Sequence, residues 1–290
     1  MFKQILLFAV FAVLLNTGRS QDQKINIVVI GAHPDDCDSD AGGTAIKFAQ
    51  LGHHVLFIST TNGDAGHFKK GGVNLALIRR SEAMEAGKRM GVTYQVLENH
   101  DGMLMPDINL RLELIRLIRE WKADVVIGPR PYDYHPDHRN TSIAIQDAAY
   151  MVIVPNIAHE TPALKRNPVF LYTEDRFMKP IPFSHDIVID ISDVFDKKIY
   201  AMAAHKSQFF EWLPWLSGEL ESVPKTEAFR LKWLAETRGG RISKEMRAGL
   251  TKWYGSKADK VKYAESFEIC EYGRIPKEDE IRQLFPMLGK

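Results

Sequence analysis

Two short segments of the sequence concentrate side chains that can hold a metal ion and move protons. They are His33-Pro34-Asp35-Asp36 and His135-Pro136-Asp137-His138. A catalytic zinc ion is held by about three His or carboxylate ligands and keeps one position open for water. His33, Asp36 and His138 supply such a set. We therefore expect Zn²⁺, with another divalent metal such as Fe²⁺ as the alternative.

Three residues of these segments, Asp35, His135 and Asp137, remain beside the metal with no ligand role. In hydrolysis a carboxylate can take a proton from water, and an imidazole can stabilise or protonate the charge that develops. We expect Asp137 to hold His135 in its charged form. Either segment alone would more simply be a polar turn. Two of them, each directly after a buried strand, predict a metal-dependent hydrolase.

The segments follow two strands of a predicted α/β fold, a Rossmann-like, doubly wound and mostly parallel sheet with helices on both faces. Residues 25–30 (INIVVI) and 125–128 (VVIG) are the apolar runs of buried parallel strands. If the strand order is 3-2-1-4, these two strands are neighbours, and the loops at their carboxyl ends meet. The other expected elements are strands at 55–60 and 93–97 and helices from 38 or 39 to 51, 74–90 and 107–121.

The second half of the chain has a looser pattern. It predicts strands at 169–172 and 187–191 and a helix at about 193–209. The tail predicts charged amphipathic helices and an extended piece at 262–270. We expect one domain over residues 21–290, with a core at about 25–210 and a C-terminal extension at about 211–290 that packs onto it.

The charge balance of the chain is close to neutral, with 38 Lys and Arg against 37 Asp and Glu. No long-range field recruits nucleic acid or an anionic membrane, so a small-molecule or glycan substrate is expected. The two cysteines, Cys37 and Cys270, permit at most one disulfide. We interpret Cys37 as a free thiol near the site.

The N-terminus has the pattern of a secretory signal peptide. Lys3 precedes an apolar run at 5–15, and a polar stretch follows at 16–20. This run is about half of the ~20 residues needed to span a bilayer. We expect residues 1–20 to be removed, which leaves a secreted or periplasmic protein with no membrane anchor.

The two motifs resemble those of the PIG-L or LmbE-like metal-dependent de-N-acetylases. That family's Ala-His-Pro-Asp-Asp-Glu appears here at residues 32–37, with Cys37 in place of Glu, and its His-x-Asp-His appears at 135–138. The resemblance implies a set of roles. The zinc ligands are His33, Asp36 and His138, the general base is Asp35, and the charge stabiliser or general acid is His135 paired with Asp137.

Weaker similarities continue through residues 25–210 and at 263–267. They include Arg79-x-x-Glu82, Asp101-Gly102 and His205-x-Ser207-Gln208. In relatives the Arg and Asp at such positions lie on the substrate side. The resemblance therefore implies that Arg79 and Asp101 bind substrate.

The expected reaction is hydrolysis of an N-acyl amide, usually N-acetyl, on an amino sugar or glycoconjugate, with release of acetate and a free amine. The near-neutral charge, with Trp212 and Trp215, favours a neutral glycan that stacks on aromatic rings, although both rings are equally compatible with core positions. The alternatives are a zinc amidase for a non-sugar or thiol-conjugate amide, and a non-catalytic sugar-binding protein. A nucleotide-binding protein is disfavoured because Gly31-Ala-His-Pro is not G-x-G-x-x-G.

Overall fold

A seven-stranded sheet forms the centre of the structure, a computed structural model that describes residues 24–288. The strand order is β3-β2-β1-β4-β5-β7-β6. All neighbouring pairs from β3 to β5 are parallel, and only β7 runs antiparallel to its neighbours. The strands are β1 (Asn26–Gly31), β2 (His54–Thr61), β3 (Thr93–Asn99), β4 (Val125–Gly128), β5 (Val169–Thr173), β6 (Ile187–Asp190) and β7 (Ala264–Cys270). The predicted order of the first four strands is confirmed.

Helices cover both faces of this sheet. Consecutive residues of a strand point to opposite faces, and β1 accordingly contributes Ile27 and Val29 to one hydrophobic core and Val28 and Ile30 to another. The first core includes α1, α2 and α5, and the second includes α3 and α4. The helices are α1 (Asp36–Gln50), α2 (Gly72–Met90), α3 (Ile108–Glu120), α4 (Pro136–Met151), α5 (Phe195–Met202), α6 (Leu213–Leu216), α7 (Glu227–Arg238), α8 (Lys244–Tyr254) and α9 (Glu278–Leu284). The predicted fold class is confirmed.

Helix α1 begins earlier than its sequence predicts. Neither Asp38 nor Ser39 caps it, because the helix starts at Asp36 with Asp35 at the N-cap. This early start brings the chain back close to the end of β1. A Cβ atom on Gly31 would lie 2.6 Å from the Cβ of Asp36. Because Gly31 has no Cβ atom, the adjacent acids Asp35 and Asp36 can lie close to the carboxyl end of β1.

The start of α3 agrees with its prediction. The Asp107 side chain accepts hydrogen bonds from the backbone N–H groups of Asn109 and Leu110. These donors have no partner within the helix, so the cap satisfies them.

Asp107→Ala is expected to lower the free energy of unfolding by roughly 0.5–2 kcal/mol, the usual cost of removing an N-cap side chain. Urea denaturation followed by circular dichroism measures this change. Asn109→Ala is the control because it keeps the backbone N–H and removes only an exposed side chain. Equal stability of the two variants would show that the cap contributes nothing.

The helix predicted over 193–209 is interrupted, which corrects that expectation. Helix α5 ends at Met202, and a π-helix, Gln208–Trp212, begins after a turn. Two contacts account for the break. The Glu82 carboxylate accepts bonds from the Ser207 backbone N–H (2.9 Å) and hydroxyl (2.5 Å). The buried His205 ring lies 3.2 Å from the Asp38 carboxylate of α1.

The C-terminal extension enters the same sheet, because its extended piece becomes β7 between β5 and β6. Glu265 of this strand accepts bonds from the backbone N–H groups of Gly43 (2.8 Å) and Thr44 (2.7 Å) in α1. Lys198 of α5 donates to Glu265 (2.7 Å) and to the Ser39 carbonyl (2.6 Å). The buried ion pair of Lys198 and Glu265 therefore links β7 to α1 through hydrogen bonds to the α1 backbone.

The helices within residues 24–288 are each too short or too polar to cross a lipid bilayer. The signal peptide expected over residues 1–20 lies outside the described part of the chain.

Candidate metal and catalytic centre

The structure brings the two sequence motifs together at the carboxyl ends of β1 and β4. These strands are parallel neighbours, with Ile27 paired to Val125 and Val29 to Ile127. The chain leaves β1 into the turn that starts α1, and the loop after β4 leads into α4, whose N-cap is His135. All six motif residues predicted to bind metal or catalyse hydrolysis therefore belong to one edge of the sheet.

Three side-chain atoms of the predicted metal ligands converge there. His33 Nδ1 lies 3.2 Å from His138 Nε2 and 3.6 Å from Asp36 Oδ2, and the last two atoms are 3.4 Å apart. Tetrahedral zinc with ligands at its usual bond lengths requires ligand atoms about 3.3–3.6 Å from one another. The donor set and its spacing both fit a zinc ion.

The other ring nitrogens of the two histidines face carboxylates. His33 Nε2 is 3.2 Å from Asp101 Oδ1 and 3.3 Å from Asp137 Oδ2, and His138 Nδ1 is 3.1 Å from Asp133 Oδ2. A histidine that donates one N–H to a carboxylate keeps the lone pair of its other nitrogen for a metal. The carboxylates thus orient both rings with their lone pairs toward Asp36.

The electrostatics of this cluster favour a cation. Burial alone would raise the pKa of Asp36, but His138 and His33 hold it well below its ordinary value. Burial alone would lower the pKa of His138, but Asp36 and Asp133 raise it to about 9. The carboxylates of Asp36 and Asp133 thus stabilise positive charge at this position, which a metal ion can supply in place of a ring proton.

Two further groups overlap with this one: His33, His135 and His138 form the first, and the second uses the other side of the His33 ring. Ligand atoms of His33, Asp101, His135 and Asp137 lie within 4.8 Å of one another. Asp137 is already engaged there, because it accepts bonds from the backbone N–H groups of Gly102 (2.6 Å) and Leu104 (3.2 Å). The group of His33, Asp36 and His138 leaves these bonds intact, and its own Asp36 Oδ2 accepts the backbone N–H groups of Ala32 (2.8 Å) and His33 (2.7 Å).

The carboxylate of Asp137 does not hydrogen-bond to His135, although it acts on that ring electrostatically. The Asp137 carboxylate contacts His33, and His135 Nδ1 instead accepts the backbone N–H of Asp137 at 3.2 Å. Burial lowers the pKa of His135, and the neighbouring His33 and His138 lower it further. The bond from Asp137 engages His135 Nδ1, so that Nε2 is the ring nitrogen left to face a substrate.

Asp35 is held by the guanidinium group of Arg79, which donates to Asp35 Oδ1 through Nη2. Burial raises the pKa of Asp35, and Arg79 opposes that rise. Arg79 is only 1% exposed, and the left-handed Gly63 (φ 69°) makes room for it, since a Cβ there would lie 2.7 Å from its Nη1. Substrate binding by Arg79 and Asp101 stays a prediction. The structure places these two residues against Asp35 and His33.

Sequence similarity identifies the family. The sequence profile described as "PIG-L: GlcNAc-PI de-N-acetylase" matches residues 28–149. Diacetylchitobiose deacetylase of Thermococcus kodakarensis is 32% identical over 207 residues, which are 66% of this chain and 74% of the relative. The chain belongs to the PIG-L family. The resemblance stated from the two motifs is confirmed.

Other PIG-L relatives agree in sequence and fold. A Bacillus cereus protein named "Probable N-acetyl-alpha-D-glucosaminyl L-malate deacetylase 2" is 27% identical over 218 residues, 72% of this chain and 94% of the relative. The solved structure of N,N'-diacetylchitobiose deacetylase from Pyrococcus horikoshii, bound to an inhibitor, is 26% identical with a TM-score of 0.62 and covers 88% of each chain.

Cys37, where this chain departs from the PIG-L motif, points into the sheet. Its thiol donates to the carbonyl groups of Val29 (3.4 Å) and Ile58 (3.5 Å). Burial raises its pKa well above the ordinary value, so the thiol stays protonated. Cys37 and Cys270 are both free. Cys37 is therefore a buried packing residue beneath the turn.

The two tryptophans that favoured a stacked sugar belong to a row of stacked rings. Centroid distances are 4.6 Å from His67 to Phe68, 5.1 Å from Phe68 to Trp215 and 5.3 Å from Trp215 to Trp212. The stacking expected with a glycan is thus made between side chains of the protein.

Sequence reasoning missed two features of this PIG-L site. The first is Asp133, which orients His138 and precedes the second motif by two residues. An acid at that position in a loop of metal ligands was the available signal. The second is a cavity of about 990 Å³ that reaches Asp35 and is walled by the C-terminal extension. Its lining residues come from segments far apart in the sequence, so no local sequence pattern predicts it.

Proposed function

We propose that the chain is a zinc-dependent N-deacetylase that hydrolyses the N-acetyl amide of an amino sugar or glycoconjugate. One observation carries the proposal: the buried Asp35 carboxylate lies beside three converging ligand atoms, in a chain of a de-N-acetylase family. Mere metal binding requires neither Asp35 nor its Arg79 partner. The named relatives act on diacetylchitobiose and on an N-acetylglucosaminyl malate, which supports an amino sugar as the substrate.

The zinc ion would be held by His33, Asp36 and His138. When bound, it supplies Lewis-acid chemistry, which polarises an acyl oxygen and makes water more acidic. Asp101, Asp137 and Asp133 keep the two histidine rings in the orientation that this role requires.

Asp35 acts as the general base and takes a proton from the attacking water. Burial raises its pKa, which makes it a better proton acceptor than an exposed carboxylate, and Arg79 fixes its position. The same carboxyl group can return the proton to the departing nitrogen, so that acetate and a free amine result.

His135 stabilises the acyl oxygen as a neutral hydrogen-bond donor. Its Nδ1 is occupied by the N–H of Asp137, which leaves the Nε2 proton for the substrate. The Nε2–H group of His135 is thus already oriented toward the acyl oxygen before negative charge develops on that oxygen. This role replaces the charged form expected from the sequence.

The protein is proposed to work outside the cytoplasm, secreted or periplasmic, without a membrane anchor once residues 1–20 are removed. The charged, apolar and polar order of that segment supports this location. Mass spectrometry of the mature protein tests it, and a mature chain that begins close to Gln21 is expected.

The proposed reaction is tested by acetate release from N-acetylglucosamine, its oligomers and peptidoglycan fragments. The enzyme is stripped by a chelator and reloaded with Zn²⁺ or Fe²⁺, and activity is expected to return with zinc. If only a non-sugar N-acyl compound were cleaved, the proposed amidase chemistry would stand and the proposal of an amino-sugar substrate would be rejected.

Asp133→Asn is expected to weaken zinc binding by ~10-fold to 100-fold, because this carboxylate orients His138 through an outer hydrogen bond. Competition with a coloured chelator measures the affinity. The matched control, Asp147→Asn, removes a partly exposed carboxylate that faces Arg111. Wild-type zinc affinity in Asp133→Asn would show that His138 needs no such partner.

A further inference from the structure

The cavity that reaches Asp35 is larger than an acetylated amine requires. Its volume of about 990 Å³ lies near the upper end of small-molecule sites. Asp35, Ser39 and Asp40, at the start of α1, form one side. The opposite wall includes residues 236–243, between α7 and α8, which lie outside the matched family segment. Of the residues assigned to the reaction centre, Asp35 is the one that lines this cavity, so a substrate that extends from Asp35 into it would meet a wall supplied by the extension.

Three arginines line this wall and the neighbouring loop: Arg176, Arg238 and Arg241. All three are exposed, and within residues 24–288 none makes a hydrogen bond or a close ion pair, although Glu174 is an electrostatic neighbour of Arg176. Arg130, close to Arg176 in the fold, shows the contrast, since both arms of its guanidinium group bind Asp175. An unpaired guanidinium presents a planar set of donors to carboxylate or phosphate oxygens.

Acidic residues also line the cavity, but most have other partners. Glu265 is neutralised by Lys198, and Glu236 lies 3.9 Å from Lys232 on the same helix. Asp35 belongs to the reaction centre through Arg79. Asp40 lies at the inner part, beside Asp36 and Lys198, and Glu174, next to Arg176, is the remaining acid at the outer part. The unpaired charge of the outer wall is therefore mainly positive.

We propose that this cavity binds an anionic group, a carboxylate or phosphate, carried by the portion of the substrate that is attached to the acylated amino sugar. Arg176, Arg238 and Arg241 select that group and determine specificity, while Asp35 at the inner end faces the amide. The inference rests on the proposed function, and it replaces the neutral glycan favoured by the net charge of +1. The average charge of a chain does not report the charge of one cavity.

The test compares the methyl and carboxymethyl glycosides of N-acetylglucosamine, which differ by one carboxylate, with N-acetylglucosamine 1-phosphate as the phosphate probe. For the wild-type enzyme, kcat/KM for an anionic probe is expected to exceed that for the methyl glycoside by ~10-fold, mainly through KM. The preference should decrease at high ionic strength, because the arginines are exposed. A preference for only one probe identifies which anion the cavity takes.

In the variant Arg176→Gln/Arg238→Gln/Arg241→Gln, the ratio of the two kcat/KM values is expected to fall close to one. The control Arg166→Gln removes an exposed arginine outside the cavity, and its ratio should match that of the wild type. If the triple variant is unstable, the single variant Arg176→Gln replaces it, because Arg176 lies in a different segment from Arg238 and Arg241. Its ratio is expected to be lower than that of the wild type. Equal kcat/KM values for the methyl glycoside and both anionic probes in the wild type, or an unchanged preference in the triple variant, would overturn the inference.

If neither glycoside is hydrolysed, calorimetry decides the inference, while acetate release from the oligomers and peptidoglycan fragments decides the proposed function. Tighter binding of the carboxymethyl glycoside that disappears in the triple variant supports an anion site. Equal binding of the two glycosides refutes it.

Discussion

Asp35→Asn is expected to lower kcat by ~10²-fold to 10⁴-fold while the zinc content stays at the wild-type level, because a positioned general base is worth about that factor. Asparagine keeps the shape of the side chain and can still accept the Arg79 hydrogen bond, but it cannot take a proton from water. The variant therefore separates proton transfer from metal binding. Steady-state acetate release and metal analysis of the same preparation measure both quantities.

The control for Asp35→Asn is Asp193→Asn, which removes an exposed carboxylate that pairs with Lys47 on the surface. Its kcat should match that of the wild type. Thermal denaturation of both variants shows whether the site remains folded. Near wild-type kcat in a zinc-loaded Asp35→Asn protein would remove Asp35 as the base and with it the mechanism proposed here.

His138→Ala is expected to abolish stable zinc binding and reduce activity by more than the ~10-fold to 100-fold that loss of an outer-shell partner costs. Only His33 Nδ1 and Asp36 Oδ2 would remain of the three converging atoms. Metal analysis after dialysis against a weak chelator measures occupancy. His159→Ala serves as the control, because that side chain is 85% exposed.

The His138 variant also distinguishes two of the overlapping groups that could hold a cation. Full zinc occupancy in His138→Ala would assign the ion to the group of His33, Asp101, His135 and Asp137. The ligand set proposed here would then be wrong, whereas the location of the site at the ends of β1 and β4 would stand.

The sequence predicted the site well where the chemistry depends on short segments. Buried strands are continuous apolar runs, so the ends of β1 and β4 could be placed, and the doubly wound order brought His33 and His138 together. Contacts between distant side chains could not be predicted in this way. Asp137 lies in a motif with His135, yet it binds His33 and the backbone of Gly102, which belongs to another loop.

The interrupted helix shows the same limit in the second half of the chain. The apolar spacing over 193–209 predicts one helix, because local pattern reports only which face is buried. The break at residues 203–206 depends on Glu82 and Asp38, more than a hundred residues away. The cavity wall likewise depends on segments that share no local signal.

The position of β7 also constrains the order in which the protein can assemble. In the described part of the chain β6 pairs with β7 alone, so it cannot join the sheet until residues 264–270 are available. Glu265, in the same strand, holds the interior of α1, whose first turn carries Asp35 and Asp36. Contacts between residues so far apart in sequence are costly to close and slow folding. The contacts of Glu265 with α1, and the pairing of β6, therefore form only after nearly the whole chain is available.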